Sequence, residues 1–238
     1  MSDAAAHRLR QLSLNVSLRD GATFDNYVPG PNREALHVLQ HLVEGPERVI
    51  YLWGAPGAGK THLLHAVCHA AAARGARSAY LPLADARHVA PELLEGLEQL
   101  DAVCIDDVQT VAGLAPWETA LFHLYNRMRD SGAHLVMAGN APPAELGLNL
   151  PDLSSRLLWG LSLQLRLLGD EEKLAALRRR AQGRGFDVPE EVARFLLRRA
   201  PRDMATLFAL LERLDQASLA QQRKLTVPFV SELLRRVE

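Results

Sequence analysis

Eight residues, Gly54-Ala55-Pro56-Gly57-Ala58-Gly59-Lys60-Thr61, follow directly on the apolar run Val49-Ile50-Tyr51-Leu52-Trp53 and lead into a stretch rich in Ala and Leu. The spacing is G-x-x-x-x-G-K-[ST]. Gly54, Gly57 and Gly59 let the backbone turn with its N–H groups inward, where side chains would collide with an anion, and Ala58 sits in the same turn. Lys60 supplies a cation to β- and γ-phosphates, Thr61 a hydroxyl for Mg²⁺, and His62 stands in the first helical turn behind them. Such a loop needs a buried strand before it and a helix N-terminus after it, and both are here. An incidental glycine-rich turn has no need of either. The pattern therefore predicts a nucleoside phosphate site and a sheet of the α/β type.

The rest of the chain repeats this alternation. Helical spacing covers 32–42, 61–74, 91–97 and 117–129; short buried strands are predicted at 49–53, 78–82, 102–105, 134–138 and 161–167. A turn-rich stretch with Pro142, Pro143, Gly147 and Pro151 precedes the last strand. Strands alternating with helices imply a parallel sheet covered on both faces. After Gly169 only helical periodicity remains, over 171–182, 189–199, 202–219 and 227–237. The expected organisation is a polar, flexible tail at 1–22, an α/β nucleotide-binding domain at 23–168 and a small all-helical domain at 169–238. In 238 residues there is room for both domains.

A phosphate loop needs an acid on the metal side. The strand Val103-Cys104-Ile105 ends in Asp106-Asp107, which the sheet delivers to the crevice at its carboxyl edge. Asp106 is the candidate for orienting Mg²⁺, and Asp107 for polarising a water. The strand Leu135–Ala138 ends at Gly139-Asn140, where Asn140 either orients an attacking water or serves the turn before Pro142. Arg156, in Leu153-Ser154-Ser155-Arg156-Leu157, is placed to reach the nucleotide of a neighbouring molecule as an arginine finger. Arg202 opens a long helix from which its guanidinium faces a γ-phosphate on domain closure.

Net charge is −1, so no global basic field draws the chain onto nucleic acid. Arginines do cluster at 178–180, 184 and 198–199, a pattern typical of solvated helix faces. The two cysteines, Cys68 and Cys104, lie in apolar segments and exclude a disulfide framework; His62, His65 and His69 read as helix positions rather than a zinc site. With no signal peptide and no apolar run long enough to span a bilayer, a cytoplasmic protein without membrane contact is expected.

These segments together resemble the AAA+ ATPases, specifically the DnaA-related family and its regulatory, DnaA-inactivating members. Gly54–Thr61, Cys104–Gln109, Ala138–Asn140, Ser155–Arg156 and Pro201–Asp203 are similar to the Walker A, Walker B, sensor 1, box VII and sensor 2 motifs. The helical domain then corresponds to the AAA+ lid. Phe24-Asp25-Asn26-Tyr27-Val28 resembles the segment whose backbone and apolar groups contact adenine, which assigns Tyr27 and Val28 to the nucleotide. The resemblance also implies that no helix-turn-helix reader follows the lid, since the sequence ends at Glu238. Gln11-Leu12-Ser13-Leu14-Asn15-Val16 is similar to peptides that bind the DNA polymerase III β sliding clamp, with Gln11 and Leu12 in one pocket and Leu14 and Val16 in another; Asn15 and Val16 stand where Pro and Leu are more usual.

The implied function is negative regulation of replication initiation. The clamp, loaded on DNA, holds the chain, and Arg156 acts in trans on ATP bound to DnaA, while ADP or ATP with Mg²⁺ serves as the chain's own switch. Self-association of the chain is compatible with this. The competing reading is an autonomous AAA+ ATPase, a helicase loader or remodelling motor; the sequence leaves open whether the protein hydrolyses ATP itself.

Overall fold

Each central strand carries apolar side chains on both faces, so the sheet must be covered twice. The computed structural model describes residues 18, 21–84, 86–201 and 203–235. Gln11, Leu12, Leu14, Val16 and Arg202 lie outside the described residues. Five parallel strands, β1 (Val49–Trp53), β2 (Ser78–Pro82), β3 (Ala102–Asp106), β4 (His134–Gly139) and β5 (Leu161–Gln164), run in the order β2-β3-β4-β1-β5. Alternation divides the side chains between two cores. Val49, Tyr51, Val103, Ile105, Leu135 and Met137 face one layer; Ile50, Leu52, Cys104, Val136 and Ala138 face the other.

Helices α1 (Arg33–Gln40) and α2 (Lys60–Ala73) cover the second face through Leu39, Leu63, Leu64 and Val67. Helices α3 (Ala115–Ser131) and α4 (Pro151–Trp159) cover the first through Leu121, Leu124, Leu153 and Leu157. Pro82 is tolerated because β2 is an edge strand.

The register brings the functional ends together. Trp53 pairs with Gly139 and Ile105 with Met137, so the loop after β1, the acids ending β3 and Asn140 after β4 share one edge of the sheet. The order of the strands reverses there, the usual ligand crevice of a doubly wound sheet.

Helices α5 (Asp170–Gly183), α6 (Glu190–Arg199), α7 (Met204–Gln221) and α8 (Val227–Arg235) bury a core of their own, including Leu177, Val192, Leu196, Leu207, Leu211 and Phe229. The Asp203 carboxylate caps α7 by accepting from Thr206 N at 2.8 Å, which starts the helix two residues after its expected beginning. Two further departures matter. Residues 91–97, expected as a helix, form 3-10 turns at Pro91–Leu94 and Leu97–Gln99, because Gly96 takes φ 80° between them. The turn-rich stretch contains α4, which opens with Pro151 in its first turn, where a missing N–H costs nothing.

Candidate nucleotide site and the neighbouring arginine helix

The phosphate loop has the backbone its sequence demands. Gly54, Gly57 and Gly59 take φ of 157°, 83° and 96°. A side chain on Gly54 would run into the carbonyl of Leu165, and one on Gly59 would meet Tyr27 Cε2 at 2.9 Å. Lys60, at the head of α2, donates from Nζ to Gly54 O at 2.7 Å and Ala55 O at 3.2 Å. Burial pulls its pKa down, while the charges of Asp106 and Asp107 act the other way. Thr61 Oγ1 donates to Asp106 Oδ2 at 2.6 Å. Positive-φ glycines, a buried ammonium and paired hydroxyl and carboxylate oxygens fit a polyphosphate with a hard divalent cation.

Asp106 is 1% exposed. Its Oδ2 also accepts from the Tyr80 hydroxyl at 3.1 Å, and its Oδ1 from Asp107 N at 2.9 Å. Burial raises its pKa and the charge of Asp107 adds to the rise, against the hydrogen bonds of Thr61 and Tyr80. Asp107 takes φ 58°, which turns it out of the strand line. Gln109 then spans the crevice: its Nε2 donates to Asp107 Oδ1 at 2.9 Å and its Oε1 accepts from Asn140 N at 3.1 Å. Both polar atoms of this amide are used, so the acid after β3 is tied to the turn after β4 through one side chain. Asn140 is exposed, and Gly139 before it leaves space for the hydroxyl of Tyr51, which donates to Ala141 O at 2.8 Å. Tyr80, Gln109 and Tyr51 did not emerge from the sequence as site residues; only the quoted segment 104–109 pointed toward Gln109.

Tyr27, nearly buried, lies over Gly59 and against His62 with ring centroids 5.3 Å apart. His62 Nε2 donates to Thr23 O at 2.9 Å. Burial lowers its pKa and the charge of Arg180 pushes the same way, against the hydrogen bond to Thr23. Asn32 fixes the segment by donating to Arg166 O at 2.9 Å and accepting from Arg166 N at 2.8 Å. Val28 is half-buried beside Tyr27. The wall made by residues 23–28 thus touches the phosphate loop directly. His65 instead stacks on Tyr80 at 4.0 Å between ring centroids. Among the described residues, no three His, Cys, Asp or Glu side chains converge as a metal cluster.

Arg156 is not gathered into this crevice. It rides on α4, on the face of the sheet opposite α2, with its guanidinium 4.9 Å from the centre of the Trp159 ring. The start of α4 is held by Glu118, a residue of α3 that is 1% exposed. Its carboxylate accepts from Gly113 N at 2.6 Å, Asn149 N at 3.0 Å and Leu150 N at 2.6 Å. In the helical region, Arg180 pairs with Glu212 at 3.3 Å, and Arg184 with Glu212 and Asp215. Part of the arginine cluster is therefore neutralised by the neighbouring helix rather than offered to a ligand.

The family profile of the bacterial DnaA ATPase domain matches residues 18–164, more than half of the sequence. This chain belongs to the DnaA-related AAA+ family. A second profile, the Hda lid domain, matches residues 170–234 of the DnaA-related chain. Domain III of the replication initiation protein DnaA from Thermotoga maritima is 25% identical; the match covers 92% of this chain and 98% of that one, with a TM-score of 0.80. AMPPCP-bound DnaA from Aquifex aeolicus is 24% identical over 83% of this chain and 66% of its own, with a TM-score of 0.70. The RuvB Holliday junction branch migration motor of Thermotoga maritima, 18% identical over 85% of this chain and 66% of its own with a TM-score of 0.62, shares the fold. A DnaA-like ATPase module joined to an Hda-type lid marks a DnaA-related, nucleotide-binding regulator of replication. No described helix is long and apolar enough to cross a membrane.

Proposed function

We propose that this chain switches off replication initiation by stimulating hydrolysis of ATP held by DnaA. The observation that carries the reading is the position of Arg156. It belongs to a DnaA-like module with an Hda-type lid, yet its helix packs on the sheet face opposite α2, the helix that opens at the phosphate loop. That placement supports a role on a neighbour's nucleotide rather than on the chain's own. Docked on ATP-bound DnaA, the Arg156 guanidinium stabilises charge on the γ-phosphate as water attacks phosphorus and the bond to the β-phosphate breaks, releasing ADP and phosphate. Arginine fingers are worth on the order of 10³–10⁵ in rate.

In this reading Gly54, Gly57, Ala58, Gly59, Lys60 and Thr61 would hold the phosphates of the chain's own nucleotide, with Tyr27, Val28 and His62 on the base side and Arg202 on the lid side. Thr61 and Asp106 would carry Mg²⁺, and Asp107 and Asn140 would address a water. A bound nucleotide supplies a polyanion that ties the domain at 23–168 to the lid at 169–238; ADP is the ligand expected in the active form. The tail at 1–22 tethers the protein through Gln11, Leu12, Leu14 and Val16 to the β sliding clamp on DNA, in the cytoplasm. The test is hydrolysis of DnaA-bound ATP in the presence of loaded clamp. Wild-type protein accelerates it and Arg156→Ala does not; equal rates overturn the reading. Gln11→Ala with Leu14→Ala lowers clamp pull-down, and undiminished binding removes the tether.

The complete set of Lys60, Thr61, Asp106 and Asp107, with Gln109 joining Asp107 to the Asn140 turn, favours one other reading, an autonomous AAA+ ATPase acting as a helicase loader or motor. Steady ATP turnover by the purified protein alone, lost in Lys60→Ala, supports it; turnover no greater than that of Lys60→Ala removes it.

A further inference from the structure

Helix α4 buries Leu153 and Leu157 and leaves Trp159 72% exposed and Leu158 55% exposed. An exposed tryptophan beside an exposed leucine is unusual on a monomer's surface unless a partner covers it, and Trp and Arg are the residues most enriched at interface hot spots. Arg156 and Trp159 stand three residues apart, so they share one flank of the helix. The guanidinium lies 4.9 Å from the ring centre, a cation–π distance. Among the described residues Arg156 has no ion pair; its charge lies over the indole face and within electrostatic reach of Tyr125. Its flexible stem has many rotamers, and most of them would aim the charge elsewhere.

We propose that Trp159 is the positioning residue of the arginine finger: its ring is a platform that holds Arg156 extended along the flank of α4 before docking. This rests on the trans role of Arg156 proposed above. Covering the platform with a partner strips water from the pair and strengthens the contact, so orientation is best fixed at the moment the charge is used.

The experiment compares Trp159→Phe, which keeps an aromatic face, with Trp159→Leu, which keeps only apolar bulk, in two measurements. First, nitrogen-detected arginine NMR of the free protein, with the Arg156 Nε signal assigned through Arg156→Lys, reads the ring-current shift. It is retained in part in Trp159→Phe and lost in Trp159→Leu; a signal unmoved in Trp159→Leu overturns the platform. Second, the stimulated DnaA ATPase is titrated to saturation. Trp159→Leu lowers the maximal rate by roughly 3- to 30-fold, with a smaller change in half-saturation, and Trp159→Phe restores most of the rate. A change in half-saturation alone makes Trp159 a docking contact and overturns the proposal. If Arg156→Ala stimulates as well as wild type, the trans role has failed; the NMR shift still decides whether the platform exists.

Discussion

Thr61 Oγ1 donates to Asp106 Oδ2 across 2.6 Å, a bond that joins the head of α2 to the end of β3. It places a hydroxyl and a carboxylate side by side behind the buried Lys60 ammonium, the arrangement a polyphosphate and a hard cation require. Lys60→Ala removes the charge and is expected to weaken mant-ADP binding by about 10- to 100-fold, the worth of a charge-assisted hydrogen bond. Thr61→Val keeps the shape and removes only the hydroxyl, so its loss should be seen with Mg²⁺ present and be much smaller with EDTA. Fluorescence titration in both buffers checks this.

Gly59→Ala tests the close approach of residues 23–28 to the loop. The left-handed backbone costs an added Cβ about 1–2 kcal/mol, and that atom would meet Tyr27 Cε2 at 2.9 Å. The variant is expected to lose a few degrees of melting temperature and most of its mant-ADP affinity. Tyr27→Ala removes a nearly buried ring and is destabilising alone, but it also removes the collision, so the double variant should lose less melting temperature than the sum of the two single losses.

Glu118 holds three backbone N–H groups, and no salt bridge reaches it among the described residues. Glu118→Ala leaves those donors unsatisfied, at about 1–3 kcal/mol for each that water cannot reach, so urea unfolding should show a loss of about 3 kcal/mol or more. Because Leu150 precedes the first turn of α4, Glu118→Gln, which keeps one acceptor oxygen, should fold yet stimulate DnaA ATPase less than wild type, at unchanged mant-ADP affinity.

Arg48 Nη1 lies 2.9 Å from His134 Nε2, which accepts only while the imidazole is neutral. Burial lowers the His134 pKa, and the Arg48 charge lowers it further. The neutral form is thus favoured in the fold. Its contribution is fully present above the ordinary histidine value of 6.5 and is lost as pH falls from there through the depressed folded value. His62, also depressed by burial, acts in the same sense. Melting temperature should fall between pH 6.5 and 5, and His134→Gln, whose amide oxygen can still accept, should show a shallower fall. An identical slope in the two proteins would sink this assignment.

Much of the site is legible as spacing. The loop at 54–61, the acids at 106–107 and Asn140 each follow a short apolar run, and in a parallel sheet such runs can only end at a common edge. Residues 91–97 misled because Gly96 breaks a helical pattern at a single φ. Helix α4 hid behind Pro151, which reads as a breaker yet sits in a first helical turn. Glu118 carried no signal: a lone carboxylate in an amphipathic helix looks solvated until the loop at 113 and the turn at 149–150 fold onto it.

The sequence by itself determined that β1, the glycine-rich loop and α2 form one strand–loop–helix unit with the backbone an anion site requires, because glycine conformation, strand burial and helix N-terminal charge are all local. It also determined which acids stand at strand ends, since alternation sets the facing of each residue. Only the tertiary structure decided that Gln109 joins Asp107 to the Asn140 turn, that Tyr27 rests on Gly59, that Glu118 anchors α4, and that Arg156 lies on the sheet face opposite α2 against Trp159. Such relations depend on which elements pack together, and hydrogen bonds across 30 residues leave no period in the chain.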